Sequence, residues 1–201
     1  MSRLLLVRHG NTKLNSAERF WGQTDVELSA DGIRQAEKLR DRLVAEKIDV
    51  IYASNLQRAS VTAEIIASKH QLDIITCTEL REINFGELEG MTFKEISQLY
   101  PELTSSWYTR RFTLPYPGGE SPNEVNKRVS KFLHRLEKHT SEETILIVAH
   151  SGTLKVIVCN LLGIGLQHSR QIRVDLASLS IVEIYPQIAI LSLLNDVSHL
   201  A

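Results

Sequence analysis

Cysteine is scarce in this chain: Cys77 and Cys159 stand alone among 201 residues, far apart and without the close spacing of a metal-binding pair. That excludes a disulfide-dense scaffold and points to a reduced, cytoplasmic setting, with a single Cys77–Cys159 bridge left open. Excess charge is missing too. The 23 Lys and Arg against 24 Asp and Glu leave −1, which gives no electrostatic basis for nucleic acid or an anionic membrane as partner. No apolar run approaches the roughly 18 residues of a membrane span. The first such run is too short for a secretion signal and has no small-residue cleavage site behind it. Repeats, linkers and low-complexity tracts are also absent. What is present, 43% hydrophobic and 23% charged residues, is the composition of a globular protein. It suits one domain over residues 1–201, as monomer or homodimer.

Two apolar runs organise the pattern. Leu4-Leu5-Leu6-Val7 ends in Arg8-His9-Gly10, and Thr144–Ala149 ends in His150-Ser151-Gly152. Both read as strands buried on two faces, as parallel sheets require. Between them, Ser29 and Asp31 open an amphipathic helix with Ile33, Ala36, Leu39, Leu43 and Val44 as its apolar face. A strand Asp49–Ala53 follows, and Ser54-Asn55-Leu56-Gln57 reads as a capping box for the next helix. Asp73–Cys77 is a short strand. Helical pieces Phe93–Leu99 and Pro101–Arg111 precede a loop with Pro117, Gly118 and Gly119. Ser121-Pro122-Asn123-Glu124 caps a helix running to about His139, another helix covers Thr153–Leu162, and Ser178–Asn195 forms a hairpin about Pro186-Gln187. The strand–helix alternation predicts an α/β protein with a mostly parallel central sheet and helices on both faces. The irregular stretch of about 84–120 reads as a helical lid inserted in that domain.

In open α/β sheets ligands bind at the carboxyl ends of the strands. If the two His-ended strands share a sheet, His9 and His150 face each other there, with Arg8 alongside. Arg58 arrives on the first turn of a helix and Glu82 just beyond the third strand. Singly, each has an ordinary reading as a hydrogen-bonded or solvated residue. Together they form a cluster of two imidazoles, two guanidiniums and a carboxylate. Two His and one carboxylate suit a metal, but fixed positive charges repel a cation, and guanidiniums grip a phosphate dianion bidentately. An imidazole then attacks phosphorus and the carboxylate shuttles the proton.

Arg8-His9-Gly10 with Asn15, the stretch Ser54–Ala59, Leu80-Arg81-Glu82 with Phe85–Gly90, and Ala149–Gly152 resemble, in order, the motifs of the histidine phosphatase superfamily. The resemblance covers nearly the whole chain. It implies the three-layer α/β/α fold of phosphoglycerate mutase-like proteins, with His9 as phosphohistidine nucleophile and Glu82 as proton donor. Arg8, Arg58 and His150 would complete the phosphate pocket, with Asn15, Gly22, Gln23 and Ser151 as substrate contacts. Asn11 and Asn55 depart from the residues usual at their places, which bears on substrate fit more than on mechanism. Cofactor-dependent mutases share these motifs. A shorter chain, Ser151 after His150, and Pro117–Ser121 are similar to the phosphatase branch instead. Arg110 and Arg111 are either a solvated helix end or a grip for a second anionic group. Arg173-Val174-Asp175 is similar to α-ribazole phosphatases of cobalamin synthesis, and phosphoserine and sugar-phosphate phosphatases are nearly as similar. The expectation is a metal-independent phosphomonoesterase for a small-molecule phosphate ester, with no cofactor. The alternatives are a mutase and a non-enzymatic phosphate-ester-binding module, which would need no nucleophile.

Overall fold

The computed structural model describes residues 2–14, 19–108, 114–139 and 142–201. Six strands form one sheet: β1 (Ser2–Arg8), β2 (Val50–Ser54), β3 (Ile74–Cys77), β4 (Thr144–Ala149), β5 (Leu179–Ile184) and β6 (Ala189–Asp196). Their order is β3-β2-β4-β1-β5-β6, with β3, β2, β4 and β1 mutually parallel and β5 and β6 added antiparallel. The helices are α1 (Ala30–Leu43), α2 (Gln57–Ala67), α3 (Phe93–Leu99), α4 (Pro101–Tyr108), α5 (Pro122–Leu136) and α6 (Ser151–Leu161).

The period-two side-chain alternation of a strand divides the core into two layers. Leu4 and Leu6 of β1, Tyr52 of β2 and Ile145 and Ile147 of β4 pack with Val125, Val129 and Phe132 of α5 and the apolar side of α6. Leu5, Val7, Ile51, Leu146 and Val148 point the other way, onto Leu39 and Leu43 of α1 and Ala59, Ala63 and Ile66 of α2. Each of these aliphatic side chains contributes roughly 1.5–3 kcal/mol by leaving water. The central strands therefore carry continuous apolar runs, since both of their faces are covered. The result is the three-layer α/β/α arrangement expected.

β1 and β4 lie side by side, with Arg8 opposite Ala149. The chain leaves β1 towards the α1 layer and leaves β4 towards the opposite one. This divergence is a topological switch point, where the backbone opens a crevice above the strand ends.

Several local expectations need correction. The buried stripe of α1 is Gly32, Ala36, Leu39 and Leu43, whereas Ile33 and Val44 are 42% and 53% exposed. The helix is rotated so that Gly32 meets the loop after β1. Ser54 does not cap α2, whose N-cap is Leu56 without a side-chain bond. Asp25 takes over instead, accepting from the Gln57 amide at 2.7 Å. The fifth helix ends at Leu136 rather than His139, and the sixth begins at Ser151. The capping boxes Thr92–Glu95 and Ser121–Glu124 are both formed, the second as expected.

Gly10 and Gly32 are in backbone-to-backbone contact. A methyl on Gly32 would run into the Asn11 carbonyl, and one on Gly10 into the Gly32 carbonyl. Gly32→Ala is expected to lower stability by about 1–3 kcal/mol, as overpacking does, while Ile33→Ala on the exposed side changes it by less than about 0.5 kcal/mol. Urea unfolding of the two variants reads this difference.

Candidate active site

At the β1/β4 switch point two histidines meet. His9 is anchored by its amide to the Ala149 carbonyl (3.1 Å), and its own carbonyl accepts from Ala177 (3.1 Å). Its ring centroid lies 5.1 Å from that of His150. His9 Nδ1 is 2.7 Å from the Gly10 carbonyl oxygen. A carbonyl can only accept, so Nδ1 carries the proton and Nε2 keeps a free lone pair in the neutral ring. Burial, with the charges of Arg8 and Arg58 nearby, pushes the His9 pKa well below its ordinary value and keeps the ring neutral.

His150 is fully buried. Its Nδ1 accepts from Arg58 Nε at 3.2 Å, so the proton sits on Nε2, which donates to Ser54 Oγ at 2.8 Å. Burial first, then Arg58, His9 and Arg8, hold its pKa well below the ordinary value as well. Arg58 is 3% exposed. Its terminal nitrogens donate to the carbonyls of Thr24 (2.9 Å) and Gly22 (2.7 Å). Arg8, half-buried, donates to the Val174 carbonyl at 2.8 Å. Burial draws the pKa of both guanidiniums down, and the carboxylate of Glu82 opposes it; at their high intrinsic pKa both remain charged.

Glu82 sits against the start of α6. Its carboxylate accepts from the amides of Ile83 (2.8 Å), Gly152 (3.0 Å) and Thr153 (3.3 Å). A pocket of about 110 Å³ opens between Arg8, His9, Thr12, Arg19, Trp21, Val26, Arg58 and Glu82. Three guanidiniums thus face one carboxylate beside a neutral imidazole, which is an anion site. Two donors on this wall, Arg8 Nε and Trp21 Nε1, are buried with no hydrogen-bond partner among the described residues, whereas buried donors are ordinarily paired.

The strap carrying Trp21 is tied down from behind. Glu89 accepts from the amides of Gln23 (2.8 Å) and Thr24 (2.9 Å) and from the Thr24 hydroxyl. Gln23 Nε2 donates to the Glu82 carbonyl at 3.2 Å. At Gly22 a side chain would collide with the Ile83 carbonyl. Phe20 packs on Phe85 and Trp107, with centroids 5.4 and 5.6 Å apart.

Arg8, His9, Arg58, His150 and Glu82 are therefore gathered in one place. Gly22 and Gln23 are there too, but they hold Arg58 and Glu82 rather than line the pocket. His150 and Ser151 do not line it either; His150 supports Arg58, and Ser151 opens α6 beside Gly152. Asn15, Arg110 and Arg111 lie outside the described residues. Among those described, no three His, Cys, Asp or Glu side chains are grouped to share a cation, and no helix is long and apolar enough to cross a membrane. Residues missed from sequence include Ser54, read as a cap, and Thr62, which accepts from the Gly10 amide (3.2 Å) and donates to the Arg58 carbonyl (2.7 Å). Trp21, in the loop after β1, is another, and it lines the pocket. Arg128 was also missed, although it occupies a core-facing position between Val125, Val129 and Phe132, a visible signal of a buried charge network.

Comparison with known proteins agrees with this geometry. Residues 4–197 match the family model described as histidine phosphatase superfamily (branch 1). Phosphoserine phosphatase 1 of Hydrogenobacter thermophilus is 34% identical over 200 residues, covering 100% of this chain and 95% of the relative. The adenosylcobalamin/alpha-ribazole phosphatase of Escherichia coli is 32% identical, covering 96% of each. The crystal structure of the alpha-ribazole phosphatase from Shigella flexneri superposes with a TM-score of 0.87 at 32% identity, over 96% of both chains. With strand order, pocket and relatives in accord, the chain belongs to the histidine phosphatase superfamily, branch 1, and is a phosphoric monoester hydrolase.

Proposed function

We propose that this enzyme hydrolyses small organic phosphate monoesters by way of a phosphohistidine at His9, without a metal ion. The observation that carries the reading is the state of His9. Its Nδ1 is committed to the Gly10 carbonyl, its ring is neutral, and Nε2 is left as a nucleophile beside the guanidiniums, of which Arg8 keeps an unfilled donor at Nε. A substrate phosphate placed there has its charge matched by Arg8 and Arg58, with Arg8 Nε and Trp21 Nε1 as further donors to its oxygens. Asn15 is assigned to the same phosphate.

In the first step His9 Nε2 bonds to phosphorus as the ester P–O bond breaks, and Glu82, having taken the proton of the bound phosphate monoanion, gives it to the departing alkoxide. In the second step the Glu82 carboxylate takes a proton from water as the water oxygen displaces Nε2 from phosphorus. Phosphate leaves and the imidazole is restored. His150 acts by holding Arg58 through Nδ1. Nothing in this cycle returns the phosphoryl group to an alcohol, and Ser151 after His150 favours hydrolysis over the mutase reaction. The names of the relatives support a small metabolite, phosphoserine or α-ribazole 5′-phosphate among them. Phosphate release from both, alongside sugar phosphates and with no added metal, distinguishes them.

His9→Ala is expected to lower turnover by on the order of 10⁴ or more. Quenching the wild type in alkaline detergent during turnover of ³²P-substrate should trap alkali-stable, acid-labile label at His9; label on another residue would overturn the assignment. Glu82→Gln should reduce kcat/KM for an alkyl phosphate by roughly 10²–10⁴ but far less for nitrophenyl phosphate, whose leaving group needs no proton. A uniform loss would count against Glu82 as the acid. Both buried histidines have pKa values lowered on folding. The unfolded chain therefore binds protons below about pH 6.5 that the native one refuses. Stability should be level above that pH and fall below it, by up to about 1.4 kcal/mol per pH unit for each histidine. Thermal unfolding between pH 5 and 8 checks this, with a shallower fall expected in His9→Gln.

A further inference from the structure

Glu82 lies on a stretch that no strand or helix holds. The short 3₁₀ turn of Thr78–Leu80 ends before it, and the next one, Gly86–Leu88, begins after it. The carbonyls of such a stretch need partners from elsewhere. Arg128 of α5 supplies them. Its Nη1 donates to the carbonyls of Glu79 and Arg81, both at 2.8 Å, and its Nη2 to the carbonyl of Glu82 itself at 3.2 Å. The remaining face of the guanidinium is bound by Glu120, with Nε at 2.7 Å and Nη2 at 3.0 Å from its two oxygens. Glu120 in turn accepts from the Asn84 amide at 2.8 Å and donates its own amide to the Asn84 carbonyl at 2.9 Å.

We propose that Arg128, charge-compensated by Glu120, is a positioning residue for the catalytic acid. It pins the backbone of residues 79–84 from the α5 side, so that the Glu82 carboxylate meets the ester oxygen of the substrate. The proposal rests on the reading of Glu82 as general acid. Arg128 is not among the residues lining the pocket and acts through Glu82. From the opposite side Thr153 Oγ1 donates to the Arg81 carbonyl (2.5 Å) and Gln23 Nε2 to the Glu82 carbonyl (3.2 Å). The acid is therefore held between α5, α6 and the 19–25 strap. Five bonds from one rigid planar fork fix both place and orientation, which a lysine with its single ammonium cannot reproduce. Proton transfer needs heavy atoms within about 2.6–3.2 Å, and misplacement by about 1 Å lowers rates by about 10²-fold.

The test compares Arg128→Lys, Arg128→Met and Glu82→Gln across phosphate esters of graded leaving-group pKa, with thermal unfolding measured in parallel. Arg128→Lys should lower kcat/KM for alkyl phosphates by about 10- to 100-fold and for nitrophenyl phosphate by less than about threefold, steepening the dependence on leaving group. In the Arg128→Lys, Glu82→Gln double variant the two losses should not multiply, as for residues acting through one group. A loss equal for all esters in Arg128→Lys, with Glu82→Gln still selective, would overturn the positioning role alone. Equal losses in Glu82→Gln would bring down the acid reading and this proposal with it. Should the Arg128 variants not fold, Glu120→Gln carries the same comparison. It is expected to show the same selectivity at smaller size, and a uniform loss there overturns the proposal.

Discussion

A guanidinium charge buried at Arg58 is the constraint on which the site depends. An unpaired charge removed from water destabilises a protein by several kcal/mol, so its donors must be matched by acceptors. Thr24 and Gly22 provide backbone carbonyls and His150 a ring nitrogen. These partners come from regions distant in sequence, and meeting Arg58 forces them together. Burial keeps the two imidazoles neutral, and the same charge, with that of Arg8, adds to it. A cation that is costly to bury therefore shapes the pocket and reinforces the protonation state of its nucleophile.

The strap of residues 19–25 has a matching double role. Its carbonyls neutralise Arg58, its Asp25 caps α2, and its Trp21 faces the pocket. Glu89 binds two of its amides from the segment that follows Glu82. The wall that contacts the ligand and the stretch that carries the acid are thus joined by hydrogen bonds before any substrate arrives. Such pre-organisation limits the rearrangement needed on binding.

The layers of the fold were legible because β1 and β4 are uninterrupted aliphatic runs, and such runs are stable only between two helical layers. The ends of those strands gave His9 and His150, and the helix after β2 gave Arg58. The roles of neighbours were harder to read. Ser54, followed by Asn55-Leu56-Gln57, has the residue types of a cap, yet its hydroxyl receives the His150 proton because β2 delivers it to the switch point. Asp25 caps a helix more than thirty residues away in sequence, a pairing no local window contains. Ile33 and Val44 fit the helical period, but close contact between Gly10 and Gly32 fixes the rotation of α1 and leaves both outside. Arg128 was visible only as a charge on an apolar stripe; its three carbonyl acceptors lie in an irregular segment that periodicity does not describe.

The position of β1 in the sheet also bears on how the protein is made. The strand that presents His9, β1 (Ser2–Arg8), precedes both of its neighbours in the chain: β4 and β5 span Thr144–Ala149 and Leu179–Ile184. At ribosomal speeds of about 5–20 residues per second, β1 waits roughly 10–35 s for both partners. Throughout that time an aliphatic segment with two unpaired edges is exposed to other chains. Contacts this distant in sequence also slow folding once synthesis ends. The architecture that seals the nucleophile in the middle of the sheet leaves its strand open to misassociation until both neighbours are made.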